Sequence, residues 1–285
     1  MTTSPAPVRQ DRESQAELLA LIALSAQRLT RDWGRLATAQ DQLLRTLERI
    51  RPGVGSTTRA RNAVAEFNQQ VATFERDSRA FAERWSATDL PTAYRDGALQ
   101  ALRRANRAIT LFRWSVDHQA ALTPLTATFY VDLMRRIQEA VRRAQAFARA
   151  AQDATRDVVL GRQHDGIDSK QLTADHPLAT VIYADQSRHP VASWAHAALS
   201  WQAVSTANAG ALNTARWELD AQWMQCVDGP ECGFTNHGDN DHADGTIRSI
   251  DDADMYPLAH HGCVRSWIPR PDLNNRPDIE SGDPA

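Results

Sequence analysis

Residues 11–50, DRESQAELLALIALSAQRLTRDWGRLATAQDQLLRTLERI, decide the fold. Ile22, Leu29, Leu36, Leu43 and Ile50 recur at strict seven-residue steps, and Ala26, Trp33 and Leu47 each follow a member of that series by four. On a helix these positions share one face, so the segment reads as a single amphipathic helix of about 58 Å whose apolar stripe requires a partner. Arg51-Pro-Gly-Val-Gly55 then breaks the helix, and Ser56 or Thr57 can cap the next.

Working outward, the same device returns over residues 58–86, where Val64, Phe67, Val71, Phe74, Phe81 and Trp85 advance in helical steps. This second helix is expected to fold back on the first. A break at Asp89-Leu90-Pro91 starts a third helix reaching about Trp114, and a fourth runs from about Pro124 to Val159 through Leu125, Phe129, Leu133, Ile137 and Val141. Arg103, Arg104 and Arg107 on the third, with Arg135, Arg136, Arg142, Arg143 and Arg149 on the fourth, read as a solvated, salt-bridged face, or else as a stripe for phosphates. Gly161, Gly166 and Pro177 mark a linker. Beyond it, residues 179–183 and 188–191 suggest a short hairpin, residues 193–221 an Ala-rich helix, and Gln222–Val227 a strand.

The fold class is therefore mostly α, of α+β type. The expected division is a tail over 1–10, a helical body over 11–160, a linker over 161–178, an α+β module over 179–271, and a polar, extended or disordered tail over 272–285.

The composition narrows the function. The chain has 285 residues, 42% of them hydrophobic, enough for one or two real cores. Its 32 basic and 35 acidic residues give a net charge of −3, so no global field draws it to nucleic acid or to an anionic membrane. The start lacks the blocks of a signal peptide, and the longest apolar run, Leu18 to Ala26, is far short of the roughly 20 residues that cross a bilayer. The expectation is a soluble protein, intracellular when made, with no membrane partner.

Chemistry concentrates in one late segment, CVDGPECGFTNHGDNDHADGTIRSIDDADMYPLAHHGCVRSW, residues 226–267, which holds all three cysteines. Cys232 and His237 form one short-spaced pair, and His260 and Cys263 another. Two such pairs on separate loops are how a chain commonly supplies the tetrahedral set that Zn²⁺ prefers, with Cys226 and His261 as spare candidates. The alternative is a set of buried polar side chains bonded to the loops around them. Asn240, His242, Asp244, Gly245 and Asp251 fall in a poor calcium-loop register, and an acidic surface loop accounts for them better. No nucleophile elbow, phosphate-binding Gly-rich loop or HExxH helix occurs. His118, His164, His176, His189 and His196 stand isolated and read as surface or hydrogen-bonded residues.

The segment resembles the C-terminal signature of phage Mu F-like minor head proteins, especially those of actinobacterial phages. The resemblance rests on Asp228-Gly-Pro-Glu-Cys232-Gly233, on His237, on the acidic loop Asp239 to Gly245, on Pro257-Leu-Ala-His260-His-Gly-Cys263 and on Arg265-Ser-Trp267. Tyr183-Ala-Asp-Gln-Ser-Arg-His189 and Thr206-Ala-Asn-Ala-Gly210 look like the same family, so about residues 179–271 are covered well and the helical body only in general character. There are departures. His261 stands where that family commonly has Pro, Val264-Arg265 replaces an Arg-Cys ending, and Cys226 lies too far from Cys232 for a C-x2-C pair. Cys226 is accordingly read as a strand residue facing the core, which favours Cys232, His237, His260 and Cys263 as the metal ligands.

The resemblance implies a structural, non-enzymatic head-morphogenesis protein of the capsid interior, made in the host cytoplasm and associated with the portal vertex. Its expected partners are the portal protein, the major capsid protein, packaged double-stranded DNA and further copies of itself. Four ligands close the metal site, as befits a structural zinc ion; a metal-dependent nuclease or head-carried effector enzyme, which needs an open position for water, is the competing reading.

Overall fold

A computed structural model describes residues 6–162, 166–228, 243–260 and 262–285, with backbone only for residues 6–13. It is mostly helical, with small antiparallel sheets. In chain order the elements are α1 (Ala6–Glu48), α2 (Ser56–Arg84), α3 (Leu90–Arg104), α4 (Val116–Val159), α5 (Ser169–Asp175), β1 (Thr180–Ile182), β2 (Arg188–Pro190), α6 (Val191–Trp217), β3 (Trp223–Val227), β4 (Ile247–Ser249), α7 (Ile250–Met255) and β5 (Ser266–Pro269).

The chain forms two compact units, neither of them a single stretch of sequence. One comprises Met1–Ser25, Arg84–Tyr130 and His196–Ala285; the other comprises Ala26–Glu83 and Val131–Ala195. Residues 161–178 belong to the second unit.

In the second unit the stripes of α1 and α2 meet as their periodicity demands. Trp33 sets its ring against the edge of Phe74 at 4.7 Å and tilts over Trp194 at 5.5 Å, while Phe67 meets Phe147 edge-on at 5.3 Å. Leu29, Leu36, Leu43, Phe67, Val71 and Phe74 are all buried there. Asp168 caps α5 by accepting from the Gln171 N–H at 2.9 Å, giving the linker a helix that its composition did not suggest. The hairpin forms as read, with Val181 opposite His189.

Three boundaries moved for physical reasons. At Asp89-Leu90-Pro91 the chain does not break: residues 85–89 make a π-helical turn in which the Leu90 N–H reaches the Trp85 carbonyl, and this wider turn lets the helix accommodate Pro91, which has no N–H to donate. Helix α3 ends at Arg104, far short of Trp114, because Asn106 adopts a left-handed conformation. Helix α4 starts eight residues before Pro124 and runs through it, with the Thr123 and Thr126 hydroxyls donating to the carbonyls of Gln119 and Leu122 around the gap.

In the first unit, α3 crosses α6 at very close range. A Cβ on Gly97 would sit 1.9 Å from the Ala207 carbonyl oxygen, and one on Gly210 would sit 2.0 Å from that of Tyr94, so glycine at both points is what lets the backbones touch. Against this crossing packs a core of Leu102, Phe112, Leu212, Met224, Cys226, Ile250 and Trp267. The sheet runs β4-β3-β5, antiparallel throughout. The tail beyond residue 271 is ordered: the Ile247 N–H donates to Asp283, Gly282 donates to Ile247 and Ala285 donates to Gly245, so the last residues lie along the outer edge of β4.

Candidate C-terminal clasp

Strand register places the residues of the late segment. β3 and β5 pair Cys226 with Trp267 and Val227 with Ser266, and one step further the same register sets Asp228 across from Arg265. Alternation on β3 turns Met224 and Cys226 into the core, as expected for Cys226. At the end of the ladder the inward position is filled by charge. Arg265 Nε donates to both Asp228 carboxylate oxygens at 2.9 and 3.1 Å, and Nη2 donates to Oδ2 at 2.7 Å. Both side chains are completely buried.

Further contacts hold the pair. Arg265 Nη1 donates to the Tyr256 carbonyl at 2.8 Å, and its guanidinium lies 5.5 Å from the centre of the Trp267 ring. The Cys263 thiol points at Asp228 Oδ1 from 3.7 Å, and the Arg265 backbone N–H donates to Cys263 Sγ at 3.4 Å. Asn208 reaches across from α6, its amide donating to the carbonyls of Pro257 at 2.9 Å and Arg265 at 3.0 Å. Arg104 of α3 donates to Ser266 Oγ and to the Trp267 carbonyl. Strand ends, the loop after α7 and two helices thereby converge on one buried ion pair.

His260 and Cys263 are brought into one turn, closed by the Cys263 N–H donating to the His260 carbonyl at 3.0 Å. Cys232 and His237, with the spare candidate His261, lie outside the described residues. Among the described residues no group of three or more His, Cys, Asp or Glu side chains gathers as a metal set. The Arg265 N–H aimed at Cys263 Sγ is the kind of outer-shell donor that holds a ligating sulfur in place, whereas the bond from Sγ to the Asp228 carboxylate is that of a thiol, which a bound ion would have to replace. A bound ion would be held by Cys263 and His260 from this side and would add rigidity to the loop they close.

Of the calcium-loop candidates, Asn240 and His242 lie outside the described residues, Asp244 accepts from the Asp228 N–H at 2.7 Å, and Asp251 pairs with Arg216 at 3.1 Å. Most of the arginines weighed as a phosphate stripe are committed within the chain. Arg136 pairs with Glu139, donates to the Ile182 carbonyl and lies over Tyr183; Arg135 pairs with Asp132; Arg143 donates to the Pro177 carbonyl, and burial lowers its pKa. Arg107, Arg142 and Arg149 are exposed.

A second polar cluster escaped the sequence reading. His118 is fully buried between α3 and the end of α6: its Nδ1 is 2.8 Å from the Tyr94 hydroxyl and its Nε2 is 2.9 Å from Glu218 Oε1. Asn213 donates to the Tyr94 oxygen at 3.0 Å, which fixes the direction of the chain. Tyr94 therefore gives its hydrogen to Nδ1, and Nε2–H gives its own to Glu218. Burial, helped by the charge of Glu218 and opposed by the Asn213 bond, pushes the Tyr94 phenol up to about 12. The four residues are spread over more than a hundred positions, and nothing in their local spacing could have announced them.

Compared with models of known protein families, with characterised proteins and with solved structures, the chain matches none of them. Among the described residues, no helix is long and apolar enough to cross a membrane.

Proposed function

We propose that the chain is an assembly protein, which acts through the surfaces it holds rigid and not through turnover. More particularly, we read it as a minor head protein of the phage Mu F type, built into the capsid interior beside the portal vertex, with a structural zinc ion held by Cys232, His237, His260 and Cys263.

The observation that supports this reading is where the signature residues are spent. Asp228, Pro257, Cys263, Arg265 and Trp267, with Asn208 of the upstream motif, hold one another in a buried latch. A buried, bonded Asp–Arg pair serves geometry, whereas a catalytic carboxylate would have to meet substrate. A closed metal site beside it would substitute ligation energy for the small core of the loop-rich end.

Two measurements test the reading. Purified virions should contain this polypeptide, and head assembly should fail or yield aberrant particles without it; normal particles from a deletion strain would sink the assembly role. Elemental analysis of the purified chain should give one zinc per molecule, reduced in Cys232→Ser and in Cys263→Ser. A chain free of metal after purification under zinc would remove the ion from the proposal and leave the Asp228–Arg265 latch and its neighbours to fasten this end. Cleavage of duplex DNA on adding metal would favour the nuclease instead.

A further inference from the structure

The connection between α3 and α4 presents apolar side chains from a fixed backbone. Its entry is closed by the Arg107 N–H donating to the Leu102 carbonyl at 2.8 Å, followed by a 3₁₀ turn at Ile109–Leu111. Phe112 is sunk into the core below, and anchoring it turns Ile109, Leu111, Trp114 and Val116 outward. Val116 is 81% exposed, and Trp114 and Trp217 are each about two-fifths exposed. The two indoles are held from beneath: Trp114 stacks on Tyr94 at 5.7 Å and Trp217 meets the edge of His118 at 4.8 Å. Arg107 and Arg113 flank this surface, both exposed.

Beside it lies a surface of complementary chemistry. Arg216, the residue before Trp217, reaches Asp251 at 3.1 Å and Asp254 at 3.8 Å on α7. The Asp251 side chain stays 90% exposed despite that pair, and Met255 and Tyr256 at the end of α7 are also exposed. A basic apolar strip and an acidic apolar strip thus border the same end of α6, within one unit.

We infer that this face pairs with the same face of a second copy of the chain about a two-fold axis. Arg107 and Arg113 of each copy meet Asp251 and Asp254 of the other, and Trp114 and Val116 pack on Met255 and Tyr256. An isologous contact requires a patch to complement itself, and adjacent strips of opposite charge satisfy that requirement. The tryptophans add contact area already ordered in the single chain, so little entropy is lost on docking, and Trp and Arg are the residues that most often dominate interfaces. The charge pattern favours an acidic protein surface over nucleic acid, since the carboxylates of α7 border the same end of α6 and would repel phosphates. This inference does not depend on the role in a phage head.

Sedimentation equilibrium of the full chain tests it. The wild type should show a reversible monomer–dimer equilibrium that weakens with salt. Val116→Asp should weaken it, and Arg107→Glu with Arg113→Glu should do so by about tenfold or more, with circular dichroism unchanged. Adding Asp251→Arg and Asp254→Arg to the latter pair should restore the dimer by exchanging the charges. A wild-type chain that stays monomeric at the highest concentration reached would overturn the inference. So would dimers indifferent to all these substitutions, or a monomer that instead captures duplex DNA through Arg107 and Arg113.

Discussion

Asp228 and Arg265 stand across from each other one step beyond the last β3–β5 pair, joined through two guanidinium nitrogens with neither side chain reaching solvent. Removing one partner strands the other. Asp228→Ala is expected to cost about 3–5 kcal/mol in urea denaturation, and Arg265→Lys a large part of that, because an ammonium cannot reproduce the planar fork. Replacing both by apolar residues of similar size should cost clearly less than the sum of the single losses. Additive losses would show that the pair is not coupled.

At the α3–α6 crossing, Gly97→Ala and Gly210→Ala each drive a methyl group into a backbone carbonyl that has no rotamer to escape through. Each should lower stability by about 1–3 kcal/mol or more, seen as a drop in melting temperature. Gly34→Ala is the control: it lies on an exposed helical position of α1 with nothing within 4 Å of the new methyl, and should raise stability by about 0.5–1 kcal/mol. Equal effects at all three positions would refute the close crossing.

The Tyr94 phenol gives the fold an alkaline limit. It ionises at about 12 when folded against 10.0 ordinarily, so the unfolded chain releases its proton first. The stability it contributes is fully present below pH 10 and is lost as pH rises towards 12, about 2–3 kcal/mol in all. Tyr94→Phe should flatten that part of the denaturation profile while lowering stability at neutral pH, since His118 and Asn213 both lose a partner. Phenolate absorbance should show a late-titrating step in the wild type that Tyr94→Phe removes; identical titrations of the two would contradict the buried chain.

Asn208 is the bolt between α6 and the clasp. Asn208→Ala leaves the carbonyls of Pro257 and Arg265 without their donor, and should cost about 1–3 kcal/mol. Asn208→Asp, nearly identical in shape, should cost more, because it turns a carboxylate oxygen towards two carbonyls. Hydrogen exchange should accelerate in residues 256–266 of both variants before it does in α2.

The long-helix architecture was legible because its signal is local. Every member of the seven-residue series from Ile22 to Ile50 is buried, as are Val64, Phe67, Val71, Phe74, Phe81 and Trp85. The hairpin and β3 were legible too, and Cys226 faces inward as read, whereas β4 is too short to carry a signal of its own. Helix ends were less so: Pro91 and Pro124 read as starts, yet a π turn absorbs one and a helix carries the other. For the site, composition directed attention to 226–267 and to His260 and Cys263, which do share a turn. Cys232 and His237 fall outside the described residues. The Asp228–Arg265 pair was present only as letters of a motif, because its meaning depends on a strand register between residues thirty-seven positions apart. His118 looked isolated for the same reason.

The final residues have a consequence of their own. A three-stranded sheet would leave the rim at Ile247–Ser249 with amides and carbonyls facing outward, a ready template for any extended peptide. Asp283, Gly282 and Ala285 occupy that rim, and Ser281 takes the Ser249 N–H. Strand-by-strand stacking from this side is thereby blocked, so neighbours that crowd this sheet edge are steered towards side-chain recognition and away from fibre growth.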